Sequence, residues 1–230
     1  MSSFLLRVCL IMTAVRTLTY SQNTKRNNPI GSGINVHIRV LYDANVLVNT
    51  ESGGATKITL PISKHFEDVF KKVEGSFHDR SVMINITVDK VKELSQQSVR
   101  VLVNETKDTL NGPLSLQALS NSQKGKVSSN GIAYFFTRSP IEREARKNDG
   151  SDQVAQTLYY IETKGSFCTD NTSAAVVTFE LGNESHDFPG RALSRIFGAN
   201  NYQTFTKSDR STMEEVFSRC QTLSETANES

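Results

Sequence analysis

Histidine and cysteine, the side chains that most often bind transition metals, are scarce in this sequence. The chain has 230 residues, of which four are histidine and three are cysteine. The histidines are His37, His65, His78 and His186, and none of them stands four residues from another histidine or cysteine. Two ligands on one face of a helix would have that spacing. The pattern therefore predicts structural or solvent-facing histidines and no metal site.

The sequence also lacks a large net charge, a serine hydrolase motif and an internal repeat. The 26 Lys and Arg residues nearly balance the 24 Asp and Glu residues, and the net charge of +2 is too small to indicate nucleic acid or a membrane as a partner. No G-x-S-x-G sequence occurs, so serine hydrolase chemistry is not indicated. What remains is a globular composition with 37% hydrophobic residues, which is enough for the core of one domain.

The first residues have the features of a secretory signal peptide. A basic residue, Arg7, precedes an apolar run at residues 8–15 that is too short to cross a bilayer, and small or polar residues follow. We therefore predict a signal peptide over residues 1–21, a flexible polar leader over residues 22–33 and a secreted, extracellular protein. A buried N-terminal helix is the alternative.

Five Asn-x-Ser/Thr sequences support the secretory route, because each can accept an N-linked glycan. They begin at Asn85, Asn104, Asn171, Asn183 and Asn228. We predict that most of them carry glycan.

Cysteine use agrees with an oxidising compartment. Cys9 lies within the predicted signal peptide, so Cys168 and Cys220 remain as an even pair. We predict a disulfide between them. It would close a loop of about 50 residues and stabilise the fold by about 4 kcal/mol in the chain-entropy model.

Hydrophobic patterns alternate between strand and helix spacing along a domain predicted over residues 34–222. Strands are predicted over 36–40, 82–88, 132–136, 159–167 and 174–179, and helices over 62–77, 114–119, 187–198 and 213–220. Residues 139–153 are charged and contain Gly and Pro, which predicts a surface loop, and residues 223–230 are expected to be a disordered tail. This alternation indicates an α/β sandwich with a largely parallel sheet.

The helix predicted after residue 185 has clear start and stop signals. Asp187 is placed to cap it, and Pro189 fits its first turn. Gly198 is placed to end it. An ordinary amphipathic helix with a glycine C-cap would show the same signals.

A longer pattern connects this helix with the strand before it. The chain contains Gly165-Ser166-Phe167-Cys168, then Ser173-Ala174-Ala175-Val176-Val177, then Arg191-Ala192-Leu193-Ser194-Arg195-Ile196-Phe197-Gly198-Ala199-Asn200-Asn201. This order of cysteine, strand, helix and glycine resembles the reprolysin (adamalysin) branch of the metzincin zinc proteases, especially the small secreted kind found in saliva and venom. The resemblance implies a metzincin-like α/β sandwich with a twisted, mostly parallel sheet, one antiparallel edge strand and packed helices.

The zinc-binding motif that the resemblance implies is degenerate. In that family the helix reads H-E-x-x-H-x-x-G-x-x-H, and its Glu acts as general base on the zinc-bound water. Here the His positions hold Arg191, Arg195 and Asn201, and the Glu position holds Ala192, while Gly198 is retained. A guanidinium group stays protonated and has no lone pair for a metal. No catalytic residue, metal ligand or cofactor is therefore expected.

Three functions remain open at this point. The first is a monomeric, secreted, non-catalytic metalloprotease homologue that binds an extracellular protein or peptide. It would use the inherited cleft beside an edge strand at about residues 161–167, to which active relatives add the substrate as a further strand. The second is an active secreted zinc metalloendopeptidase with a non-standard site and zinc as its cofactor. The third is a purely structural secreted glycoprotein.

Overall fold

The computed structural model describes residues 28–47, 61–94, 99–104, 107–143, 155–180 and 185–228. In chain order these hold β1 (Asn35–Tyr42), a 3-10 turn (Ala44–Leu47), α1 (Ile62–His78), β2 (Asn85–Glu93), β3 (Leu102–Asn104), β4 (Lys107–Asn111), α2 (Gly112–Gln123), β5 (Gly131–Thr137), β6 (Ile141–Arg143), β7 (Gln156–Leu158), β8 (Tyr160–Glu162), β9 (Ser173–Thr178), α3 (Asp187–Ile196) and α4 (Lys207–Asn228). The signal peptide predicted over residues 1–21 lies outside the described residues.

A five-stranded sheet forms the centre of the fold, in the order β2-β1-β5-β9-β8. The first four of these strands are parallel to their neighbours, and β8 is antiparallel to β9 at the edge. This arrangement confirms the predicted fold class, an α/β sandwich with a mostly parallel sheet and one antiparallel edge strand. A second sheet, in the order β3-β4-β6-β7, was not predicted.

Hydrophobic cores lie on both faces of the five-stranded sheet. On one face, α1, α3 and α4 pack through stripes of apolar residues, and the stripe of α1 consists of Phe66, Val69, Phe70, Val73 and Phe77. On the other face, α2 and the second sheet cover a smaller cluster. Because β5 has a core on each side, every one of its residues is buried. The continuous apolar run of β5 predicted this double burial.

Three segments that were predicted to be irregular contain packed or regular structure. Ser139 and Ile141 are buried, and Ile141 belongs to β6, which pairs with β4 and β7. The prediction of a surface loop over residues 139–153 was therefore wrong at its start. Ile30, in the predicted leader, is also buried and pairs with Val82, so residues 28–33 pack on the domain. Helix α4 continues to Asn228, into the segment predicted as a disordered tail.

Helix α3 begins differently from the prediction. Asp187 is its first residue and His186 is the N-cap, without a side-chain cap bond. An acidic residue in the first turn still favours the helix through the macrodipole.

Along the described part of the chain, no helix combines the length and apolar character that a membrane span needs.

Candidate functional site

Arg191 and Arg195, at positions where the resemblance implies zinc ligands in active relatives, lie one turn apart on α3. Arg191 Nε donates a hydrogen bond to Asp187 Oδ2 at 2.8 Å, and Arg195 Nε donates to Glu162 Oε1 at 3.2 Å. The two arginine side chains are 32% and 33% exposed. Each guanidinium is therefore held by a carboxylate at a position where the resemblance implies a zinc ligand.

Glu162 connects α3 to the edge strand β8. Its side chain is only 10% exposed. Burial raises the pKa of the Glu162 carboxyl, and the hydrogen bond from Arg195 opposes that rise. Burial also raises the pKa of Tyr160, and the negative charge of Glu162 adds to the effect. The surface between β8 and α3 is thus a network of paired charges.

The other two residues that the sequence singled out, Ala192 and Asn201, have structural roles. Ala192 is fully buried and belongs to the core under α3. Asn201 is exposed, and its Oδ1 accepts hydrogen bonds from the backbone N–H groups of Gln203, at 3.1 Å, and Thr204, at 3.4 Å. Asparagine commonly stabilises a turn in this way. The side chains now present at the four positions therefore do not form one set of metal ligands.

Zinc does not fit these residues. Two protonated guanidinium groups offer no lone pair and repel a divalent cation, alanine has no donor atom, and the Asn201 oxygen is engaged in its turn. The histidines are dispersed: His37 contacts Asp89, His78 contacts the Ile84 carbonyl and His186 contacts Ser76. Within the described ranges, no group of three or more His, Cys, Asp or Glu side chains could hold a metal ion.

The glycine that the motif retains ends α3 as predicted. Gly198 has a φ of 88°. Its N–H donates to the Arg195 carbonyl at 2.8 Å, and the Ala199 N–H donates to the Ser194 carbonyl at 2.9 Å. These two bonds form a Schellman motif. Asp209 on α4 then accepts a hydrogen bond from the Asn200 N–H at 2.7 Å, which fixes the chain leaving α3.

Replacing Gly190 by alanine is expected to lower the free energy of unfolding by about 2 kcal/mol, through overpacking. An added Cβ would lie 2.3 Å from the Tyr202 hydroxyl oxygen and 2.4 Å from the ring carbon that carries it. Tyr202 is 5% exposed, so its ring has little room to move away. Urea unfolding measures the loss. Tyr202→Leu should recover part of it in the double variant, and strictly additive effects would contradict the predicted contact.

A cavity of about 250 Å³ lies beside the start of β8. Its aromatic wall is formed by Tyr159, which is 60% exposed, and Phe188, whose ring stacks on it at 4.6 Å. Arg138 and Glu180, which form an ion pair, contribute charged groups. This cavity was not predicted from the sequence. Its residues lie on four segments of the chain. From the sequence, only Tyr159, at the start of the predicted edge strand, could have been noticed.

The two cysteines of the domain lie together. Cys168 and Cys220 form a disulfide with a Cα–Cα distance of 5.1 Å, joining the turn before β9 to α4. Among the predicted glycan acceptors, Asn85 and Asn171 are exposed. Asn183 lies outside the described residues, and the same holds for the side chains of Asn104 and Asn228.

Comparison with known proteins finds distant structural likenesses and no family. No protein-family model matches the chain, and no curated protein matches it. Among solved structures it is similar to metalloproteinase-II from Bacteroides fragilis, with a TM-score of 0.42, 11% identity and coverage of 83% of this chain and 55% of that chain. It is also similar to archaemetzincin from Methanopyrus kandleri, with a TM-score of 0.39, 11% identity and coverage of 79% and 87%.

A third likeness is to a chain of a chaperone-substrate complex, with a TM-score of 0.42, 6% identity and coverage of 72% of this chain and 23% of that chain. The match to the Bacteroides metalloproteinase covers only about half the length of that chain. Similarities at this distance do not assign a family or an activity.

Proposed function

We propose that this protein is a secreted, non-catalytic homologue of reprolysin-type zinc proteases that binds an extracellular protein or peptide at the cleft between β8 and α3. The observation that carries the proposal is the pairing of Arg191 with Asp187 and of Arg195 with Glu162. These ion pairs occupy the positions that the resemblance implies for zinc ligands. Ala192 supplies no general base there.

The edge strand β8 supports the binding role. Among the described strands it pairs only with β9. Since none of the described strands pairs with its other side, we infer that an extended peptide adds to the sheet there as a further strand. The cavity walled by Tyr159 and Phe188 lies next to that edge, and it suits an apolar or aromatic side chain of the partner.

Zinc content and peptide hydrolysis test the non-catalytic half of the proposal. We expect less than about 0.1 zinc per chain by elemental analysis and no chelator-sensitive cleavage of a peptide library, because the part of the chain that the structure describes contains no ligand set for the ion. Near-stoichiometric zinc with chelator-sensitive cleavage would instead support an active secreted zinc endopeptidase.

Restoring the ligands tests the assignment of the positions. The triple variant Arg191→His, Arg195→His, Asn201→His should gain zinc, whereas a matched variant with Gln at the same three positions should not. Ala192→Glu is added only afterwards, because Ala192 is buried and a carboxylate there costs stability. If the triple variant folds and binds no more zinc than the Gln variant, the assignment of the positions is wrong.

The binding half is tested with the protein immobilised and exposed to extracellular fluid. Tyr159→Ser should abolish capture of a specific partner, since it removes the exposed wall of the cavity. Leu114→Ser is the matched control, because Leu114 is 48% exposed on α2, which covers the opposite face of the sheet from α3. Equal capture by both variants would contradict binding at the cleft.

Glycan occupancy tests secretion. Asn85 and Asn171 are exposed, so we expect both to be glycosylated in protein recovered from a eukaryotic medium. Treatment with an N-glycosidase should lower the mass and convert the occupied asparagines to aspartate, which peptide mapping detects. An unchanged mass would contradict the predicted secretory route.

A further inference from the structure

A second cavity, of about 270 Å³, lies on the opposite face of the sheet from α3. It is lined by His37, Arg39, Asp89, Lys90, Lys126, Val127, Ser128 and Gly131. His37 and Arg39 alternate with the buried residues of β1, and they share the sheet face of Leu41, which packs in the core under α2. The cavity is therefore separate from the cleft between β8 and α3.

The charge of this cavity is net positive, because three cationic side chains line it against one carboxylate. Arg39, Lys90 and Lys126 line it, and no carboxylate among the described residues lies within 4 Å of their charged nitrogens. The one carboxylate in the lining, that of Asp89, is engaged by His37, whose Nδ1 lies 3.0 Å and 3.2 Å from its two oxygens.

An irregularity in β2 produces this concentration of charge. Ile38 pairs with Val88, but the next residue, Arg39, pairs with Lys90, because Asp89 is an extra residue in a β-bulge. A regular register would have placed Asp89 beside Arg39, as an ion pair, and would have turned Lys90 to the core face. The bulge instead sets two cations side by side on neighbouring parallel strands. Their like charges repel, and an anion bound between them would relieve that repulsion.

The cations are partly held in place by the backbone around them. Arg39 donates to the Lys126 carbonyl at 2.7 Å, and Lys126 Nζ donates to the Ser122 carbonyl at 2.6 Å. Lys92 follows Lys90 two residues along β2, on the same face and about 7 Å away. The positive charge therefore continues beyond the cavity along the strand. A polymer with repeated negative charges would be complementary to this row of cations.

We propose that this cavity binds a sulfate ester of a sulfated polysaccharide. Arg39, Lys90 and Lys126 would neutralise the sulfate oxygens, and the Ser128 hydroxyl would contact the sugar. A volume of about 270 Å³ exceeds what a bare sulfate needs and admits a sugar ring. Phosphate esters share the same charge chemistry. The extracellular location predicted from the signal peptide and the sequons favours the sulfated sugar.

The test is fluorescence anisotropy of a labelled heparin decasaccharide with the full-length secreted protein. We expect binding that weakens with salt and that is at least about tenfold weaker for the fully desulfated decasaccharide. Lys90→Glu should lower the affinity at least about tenfold, since it replaces one charge-assisted contact by a repulsion. It should also raise the melting temperature by about 1–2 °C, because it places an acid opposite Arg39.

Lys207→Glu is the control for the change in net charge, since Lys207 is exposed on α4, which packs on the other face of the sheet. It should change the affinity less than about twofold. Equal losses in the two variants would overturn the site. A polyphosphate of the same charge that binds as tightly as the decasaccharide would overturn the choice of a sulfated sugar. If Lys90→Glu loses binding while its melting temperature rises, the loss is a binding defect, because an unfolded variant would have a lower melting temperature.

Discussion

Removing the Cys168–Cys220 bridge, by changing both cysteines to alanine, is expected to lower the free energy of unfolding by about 4 kcal/mol. The two residues are 52 positions apart, and the bridge therefore closes a long loop in the unfolded chain. That loop contains β9, α3 and the start of α4, so its constraint acts on the elements that build the candidate site. Denaturant unfolding of the two proteins measures the difference.

Reducing agent supplies the control for this prediction. It should destabilise the natural protein by a similar amount and leave the double variant unchanged. A natural protein that is insensitive to reductant, with Cys168 and Cys220 found as free thiols by peptide mapping, would contradict the bridge.

Replacing Arg100 by methionine is expected to cost about 3 kcal/mol at neutral pH, because it removes the partner of a buried charge. Asp43, at the end of β1, is 1% exposed and accepts a hydrogen bond from Thr137 Oγ1 at 2.7 Å. Arg100 Nη1 lies 3.7 Å from Asp43 Oδ2, and the arginine side chain is 11% exposed. Ser139 joins the network through a 3.1 Å contact with the Arg100 guanidinium. Thermal or denaturant unfolding at pH 7 measures the loss.

The loss should shrink as the pH falls. Burial raises the pKa of the Asp43 carboxyl, while Thr137 and Arg100 lower it. Without Arg100 the folded-state pKa rises further above the unfolded value. A buried acid with a raised pKa keeps its full stability below the unfolded pKa and loses it as the pH rises through the folded pKa. The penalty is therefore largest at neutral pH and decreases as Asp43 becomes protonated.

Arg138→Met is a matched control for Arg100→Met. Arg138 pairs with Glu180, which is 43% exposed. A pair this accessible to water contributes about 0–1 kcal/mol, so the control should cost less and show little change with pH. Equal penalties at every pH for Arg100→Met would contradict a charged, buried Asp43.

The long, strongly periodic elements could be predicted from the sequence. The apolar stripe of α1 and the continuous run of β5 identify themselves through spacing alone. The second sheet could not be predicted, because β3, β6 and β7 have three residues each and no period can be recognised in so few. Their strand conformation depends on pairing with partners elsewhere in the chain.

In the candidate site, too, a local contact could be predicted from the sequence, whereas the contacts between distant segments could not. The spacing of Asp187 and Arg191, four residues apart in a predicted helix, already indicates an ion pair. The pairing of Arg195 with Glu162 spans 33 residues, and no local pattern in the sequence indicates it. The stack of Tyr159 on Phe188 is likewise a contact between distant segments.

What the sequence determined by itself is the chemistry available at each position. Arg191, Ala192, Arg195 and Asn201 cannot act as three histidines and a glutamate in any fold, because the side-chain groups are different. Only the tertiary structure decided which groups meet. It places Glu162 against Arg195, and through one extra residue in β2 it sets Lys90 opposite Arg39. Register and long-range packing depend on the whole chain, and one residue of shift in a strand moves each side chain to the other face of the sheet.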